Sequence, residues 1–188
     1  VTFGLLDRGC KLRGMAQFMR DLVENPELSQ MIIKKVAEIH LEMYGMFLAE
    51  VGEFVQMVET ADDLGGQENL LISPSFYRKY FKPHQTRINK LIKSRAPNSK
   101  VFFHSDGAIR NIIPDLIEAG VDILNPVQPS ASEMESAKLK RDFGDEIIFH
   151  GGVDQRPQEG SEEDIREEVR KRIDAFGSNG GYILSTCN

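Results

Sequence analysis

Cysteine is scarce in this 188-residue chain: only Cys10 and Cys187 occur, near opposite ends. A disulfide framework is therefore not expected, and a reducing, cytoplasmic setting is the default reading. An excess of positive charge is missing as well. With 23 basic against 29 acidic side chains the net charge is −6, which leaves no basic footprint for nucleic acid. The local basic cluster Lys90, Lys93 and Arg95 reads as the solvated side of a helix. Long apolar runs are also lacking. The most apolar window, around residues 31–51, is broken by Lys34, Lys35, Glu38, Glu42 and Glu50, so no membrane partner is expected. No secretory signal, linker or low-complexity tract is visible.

What the chain does have is a recurring punctuation. Short apolar runs end in polar residues and are followed by helix signals. Phe54–Val58 leads into Asp62-Asp63, Val101–Phe103 into His104-Ser105-Asp106-Gly107, and Val121–Leu124 into Asn125. Ile147–Phe149 leads into His150-Gly151-Gly152-Val153-Asp154, and Tyr182–Leu184 into Ser185-Thr186-Cys187-Asn188. Continuous apolar runs suit strands buried on both faces of a parallel sheet, with function gathered at their C-terminal ends. The fold class expected is α/β, a (β/α)8 TIM barrel represented by its C-terminal portion, about five strands with their helices. A complete barrel takes about 250 residues. The first residue is Val1 and the last follows a strand pattern, so a single domain over 1–188, truncated at the N-terminus and before its last helix, is expected.

Helix signals fill the intervals. Residues 8–24 carry Leu12, Met15, Phe18, Met19 and Leu22 at helical spacing. Asn25-Pro26 reads as a cap and first turn before a long amphipathic helix with Met31, Ile32, Val36, Ile39, Met43 and Phe47 on one face. Ser73-Pro74 repeats that start, and Pro83 should kink or divide the helix that follows. Residues 108–119 form the next helix, in which Pro114 is awkward and Gly120 is the stop. Residues 132–143 make a short helix, and Ser161-Glu162-Glu163-Asp164 opens a strong one.

Several polar groups are candidates for chemistry. His104 and Asp106 flank one residue, so an extended backbone would project them to the same side. The alternative is a polar strand end whose aspartate caps the next helix. Of Asp62 and Asp63, one should face the site for proton transfer, metal binding or hydrogen bonding, and the other should serve the loop. Gly151 and Gly152 stand where the backbone turns tightly or approaches a ligand, and they lack the third glycine of a dinucleotide fingerprint. Asp154 is equally suited to capping a loop or to the site. Cys187 with His104 has the donor types of a zinc site, or it is a small buried residue. His40 and His84 fall on helices and read as structural or exposed, and His150, just before the glycine pair, either lines the pocket or is a ring filling the barrel mouth.

Taken in order, Asp62-Asp63-Leu64-Gly65 with Ile72-Ser73-Pro74, His104-Ser105-Asp106-Gly107, Asp122-Ile123-Leu124-Asn125-Pro126-Val127-Gln128, Gly151-Gly152-Val153-Asp154 and Gly180-Gly181-Tyr182-Ile183-Leu184 resemble the C-terminal part of the uroporphyrinogen decarboxylase superfamily. That superfamily also contains cobalamin-dependent methyltransferases. The resemblance implies the barrel fold and a tetrapyrrole or a corrinoid protein as partner. Its methyltransferase branch implies zinc held by His104, Asp106 and Cys187, with Asp106 standing where cysteine is usual. A corrinoid-linked methyltransferase is the leading expectation, with Asp62, Asp63 and Asp106 catalytic and Asn125, Gly151, Gly152 and Asp154 binding substrate. The alternatives are a cofactor-free, usually dimeric uroporphyrinogen decarboxylase and a non-catalytic relative that keeps the barrel for binding. The decarboxylase branch tends to carry a histidine at the end of the last strand, where Cys187 or Asn188 stands here.

Overall fold

A computed structural model describes residues 4–187; Asn188 lies outside them. Among the described residues five strands form one sheet, all parallel and in chain order: β1 (Met57–Ala61), β2 (Lys100–His104), β3 (Ile123–Asn125), β4 (Ile148–Val153) and β5 (Tyr182–Thr186). Three helices precede the sheet: α1 (Leu5–Arg13), α2 (Met15–Glu24) and α3 (Pro26–Val51). The crossovers carry α4 (Pro74–Tyr80) with α5 (Lys82–Arg95), then α6 (Ile113–Glu118), α7 (Ser136–Phe143) and α8 (Glu162–Phe176). Sequential parallel strands joined by helices are consistent with part of a (β/α) barrel.

The core sits between sheet and helices. Val101 and Phe103 of β2, Leu124 of β3 and Phe149 of β4 are buried together with Ile88 and Ile92 of α5, Leu116 of α6, Leu139 of α7 and Phe176 of α8. Because side chains alternate along a strand, the opposite face carries Glu59, Phe102, His104, Ile123, Asn125, Ile148 and His150. Phe102 and His150 meet edge to face across that side, their ring centroids 5.1 Å apart. His104 is level with Ala61 on one neighbour and with Asn125 on the other, so the strand ends form a common rim.

Several boundaries differ from the sequence expectation. The 8–24 helix is divided at Gly14, whose φ of +80° no helix accommodates. The first strand starts at Met57, leaving Phe54 exposed before it. Asn25 makes no side-chain cap, although Pro26 does open α3. The buried stripe of α3 is Ser29, Ile33, Val36, Ala37 and Leu48, whereas Met31, Ile39, Met43 and Phe47 are exposed. Small residues at 29 and 37 let neighbouring helices approach, and a choice by side-chain hydrophobicity alone passes over them. Pro83 divides its helix as expected, with α4 ending at Tyr80 and α5 starting at Lys82. Pro114 loses its awkwardness because α6 begins at Ile113, in the first turn, where proline is tolerated. Ser73 accepts from Phe76 N at 3.2 Å, and Ser161 with Asp164 forms a full capping box. No described helix is long and apolar enough to cross a membrane.

Candidate functional site

The rim above β1, β2 and β3 gathers titratable groups. His104 ends β2 with its Nε2 3.6 Å from Asp63 Oδ1 and 3.6 Å from Asp106 Oδ2. Both separations exceed a hydrogen bond, so the ring edge is flanked by two carboxylates without being closed off by either. On its other side His104 Nδ1 is 2.6 Å from Asn125 Oδ1, and Asn125 Nδ2 is 2.8 Å from His150 Nδ1. Three successive strands are thereby linked by one polar chain. Burial pushes the Asp106 carboxyl above its ordinary value; His104 opposes the shift and Asp63 adds to it. Burial holds His150 below the usual histidine value. The ligand atoms of Asp63, His104 and Asp106 lie within 4.8 Å of one another, so the cluster can coordinate a metal ion.

Backbone contacts set this spacing. Asp106 N donates to Asp63 Oδ1 at 3.2 Å, and Ala108 N donates to Gly66 O at 2.8 Å, which fastens the loop after β2 to the loop after β1. A Cβ on Gly65 would lie 2.6 Å from Asp106 O, and one on Gly107 would lie 2.5 Å from Gly66 O. Gly107 also has φ +83°, so both glycines are required by the close approach. Ser105 Oγ accepts from Leu64 N at 3.1 Å and is itself buried, and Gly107 N donates to Gln128 Oε1 at 3.2 Å.

The two adjacent aspartates have separate fates. Asp63 faces the rim, while Asp62 is buried and receives Leu6 N at 2.9 Å and Asp7 N at 3.1 Å, capping α1 from a distance of 56 residues in sequence. Burial pushes its carboxyl up to about 7, against the pull of those backbone donors. Asp62, expected among the catalytic groups, thus serves as a helix cap. Gly151 and Gly152 have φ of +103° and +80°, and Gly152 N donates to Pro126 O at 2.8 Å. A Cβ on Gly151 would come 2.2 Å from Pro126 O. This pair lets β4 close onto the residue after Asn125.

The other end of the rim is built differently. Asp154 accepts from Arg156 N at 3.0 Å and from Arg156 Nε at 3.0 and 3.1 Å, which holds its carboxyl below the ordinary aspartate value. Its own N donates to Glu168 Oε1, and Glu168 is paired with buried Arg172 at 2.7 Å. Cys187 is buried, donates its thiol to Val153 O at 3.0 Å, and does not belong to the His104 cluster. Burial raises its pKa, which disfavours the thiolate that a metal would need. The expected trio of His104, Asp106 and Cys187 is not assembled; Asp63 stands in the third position. His150, for which lining and filling the barrel mouth were both open, stands one residue before the glycine pair in the same row as His104 and Asn125.

A family model described as uroporphyrinogen decarboxylase (URO-D) matches residues 5–187. Curated relatives agree with it. The chain is 26% identical over 165 residues to a uroporphyrinogen decarboxylase of Trichodesmium erythraeum, covering 81% of this chain and 44% of that protein. It is 24% identical over 160 residues to the one of a Synechocystis species, covering 85% and 42%. It is 20% identical over 187 residues to the one of Chlorobium phaeobacteroides, covering 98% and 49%. The chain therefore spans less than half the length of these relatives. No solved structure matches it. The expectation of a corrinoid-linked, zinc-assisted methyltransferase is overturned, because the family model and these relatives carry the decarboxylase name and Cys187 stands apart from His104. By its match over nearly every described residue, the chain belongs to the uroporphyrinogen decarboxylase family.

Proposed function

We propose that this chain supplies one side of the active site of a uroporphyrinogen decarboxylase, with His104 as the proton-handling group. The observation that carries the reading is the placement of His104 Nε2 at 3.6 Å from both Asp63 Oδ1 and Asp106 Oδ2 on the strand-end rim. Loss of carbon dioxide from a pyrrole acetate breaks a carbon–carbon bond and leaves its electron pair on the substrate carbon, where one proton must be delivered. A histidine ring nitrogen set between two carboxylates is placed to hand that proton over. The same carboxylates offer acceptors to substrate N–H groups.

The test is release of carbon dioxide from uroporphyrinogen by the intact protein, with His104→Ala and Cys187→Ser compared. We expect His104→Ala to lose about 100-fold or more in kcat, the usual range for removal of a general acid. Cys187→Ser should retain turnover. Absence of carbon dioxide release by the unaltered protein, or full activity of His104→Ala, would reject the reading.

A further inference from the structure

The two histidines of the rim do not touch; Asn125 stands between them, level with His104 across the β2–β3 pairing. An amide oxygen can only accept and an amide nitrogen can only donate. The 2.6 Å contact from His104 Nδ1 to Asn125 Oδ1 therefore requires a hydrogen on that ring nitrogen. The 2.8 Å contact from Asn125 Nδ2 to His150 Nδ1 requires a bare nitrogen there, so neutral His150 carries its hydrogen on Nε2. Asn125 is buried, and its carbonyl carbon end of the strand is tied through Ser105 N to Asn125 O at 2.8 Å, so the bridge is held by the sheet.

We infer that Asn125 is a positioning residue that assigns the ring hydrogens of both histidines: Nδ1–H on His104 and Nε2–H on His150. The consequence for His104 is directional. Its Nδ1 is occupied by the bridge, so the nitrogen left to meet anything bound above the rim is Nε2, the one lying between Asp63 and Asp106. His104 keeps its Nδ1 hydrogen whether or not Nε2 also carries one. This makes Nε2 the single atom at which the ring exchanges a proton with anything bound above the rim. The catalytic meaning of that restriction rests on the decarboxylase reading; the hydrogen placement does not.

The experiment is nitrogen NMR of the intact protein with labelled histidine, which distinguishes a ring nitrogen bearing hydrogen from a bare one. In the unaltered protein His104 should show hydrogen on Nδ1 and His150 a bare Nδ1. His104 with a bare Nδ1 and His150 with hydrogen there would mean that the amide is reversed, and would overturn the assignment. Asn125→Asp sharpens the test, because a carboxylate is of the same shape and accepts from both sides. The His150 hydrogen should then move from Nε2 to Nδ1 while His104 is unchanged. A His150 spectrum unaltered by that substitution would overturn the proposal, and a purely structural asparagine would give that result. If Asn125→Asp fails to fold, the spectrum of the unaltered protein decides alone. Expected hydrogen placement in a protein that releases no carbon dioxide would reject the decarboxylase reading and leave the role of Asn125 standing.

Discussion

The two ends of one sheet rim place the same residue type in opposite circumstances. Above β1 and β2, Asp63 and Asp106 face a histidine that neither of them closes upon. Beyond β4, Asp154 is wrapped by Arg156, and Glu168 is matched by Arg172 with both side chains buried. An aspartate just past a parallel strand is thus no signature by itself. What separates the two ends is the counter-ion: an arginine fork consumes the acceptor capacity of a carboxylate, and an imidazole at 3.6 Å leaves it available.

The hardest way to break the comparison is to remove an arginine from the neutralised end. Arg172→Met should cost about 3–5 kcal/mol of stability, because it leaves the buried Glu168 carboxylate without its partner. Urea titration would read this. A loss under 1 kcal/mol would mean that this end is not held by its charges.

Asp62 tests the fold beneath the open end through pH. Its folded pKa, about 7, is raised above the unfolded 3.8, so the folded state binds the proton more tightly. Its contribution to stability is complete below the unfolded value and is lost as pH rises through about 7. At about 1.4 kcal/mol per pKa unit the loss across that window approaches roughly 4 kcal/mol. Asp62→Asn should flatten the dependence over the same window, measured by denaturant titration at several pH values. An unchanged slope would show that another group governs it.

At the open end Asp106→Asn should lower kcat/KM for uroporphyrinogen by about 10-fold to 100-fold, since it removes charge without volume. Asp154→Asn should affect stability and leave turnover within about twofold. Equal losses from both substitutions would erase the distinction between the two ends. The smallest effect should come from Arg166→Ala, whose i,i+4 pair with Glu162 is exposed; a change within about 0.5 kcal/mol is expected by thermal melting.

Much of this architecture was legible because local signals agreed with one another. The alternation of apolar runs with capped helices indicated five parallel strands, and the serine–proline start at Ser73 and the acidic first turn after Ser161 are seen as expected. The pairing of His104 with Asp106 could be read from their separation by one residue in an extended segment. The choice of third partner could not. Cys187 looked suitable by donor type, but its thiol is spent on Val153 O, and the position is filled by Asp63 from a loop that no periodicity describes. Which of Asp62 and Asp63 faces the rim was not legible for the same reason: adjacency in sequence conceals that the Asp62 carboxyl reaches back to the first turn of α1. Asn125 was visible as a strand end, yet its link between two histidines depends on the register of β2 with β3, which is set by tertiary pairing.

The seam between the loops after β1 and β2 separates spacing from chemistry. Gly65 and Gly107 bring main chain against main chain with no side chain between them, so the frame is set by atoms that every residue shares. Replacing the side chain at position 106 exchanges a group beside His104 and leaves the Gly65–Gly107 seam in place, whereas a change at position 63 also gives up the acceptor for Asp106 N. Such a junction works as an interchangeable socket: descendants of this fold can trial new donors around one fixed imidazole through single codon changes, whereas any side chain added at Gly65 or Gly107 would dislodge both positions at once.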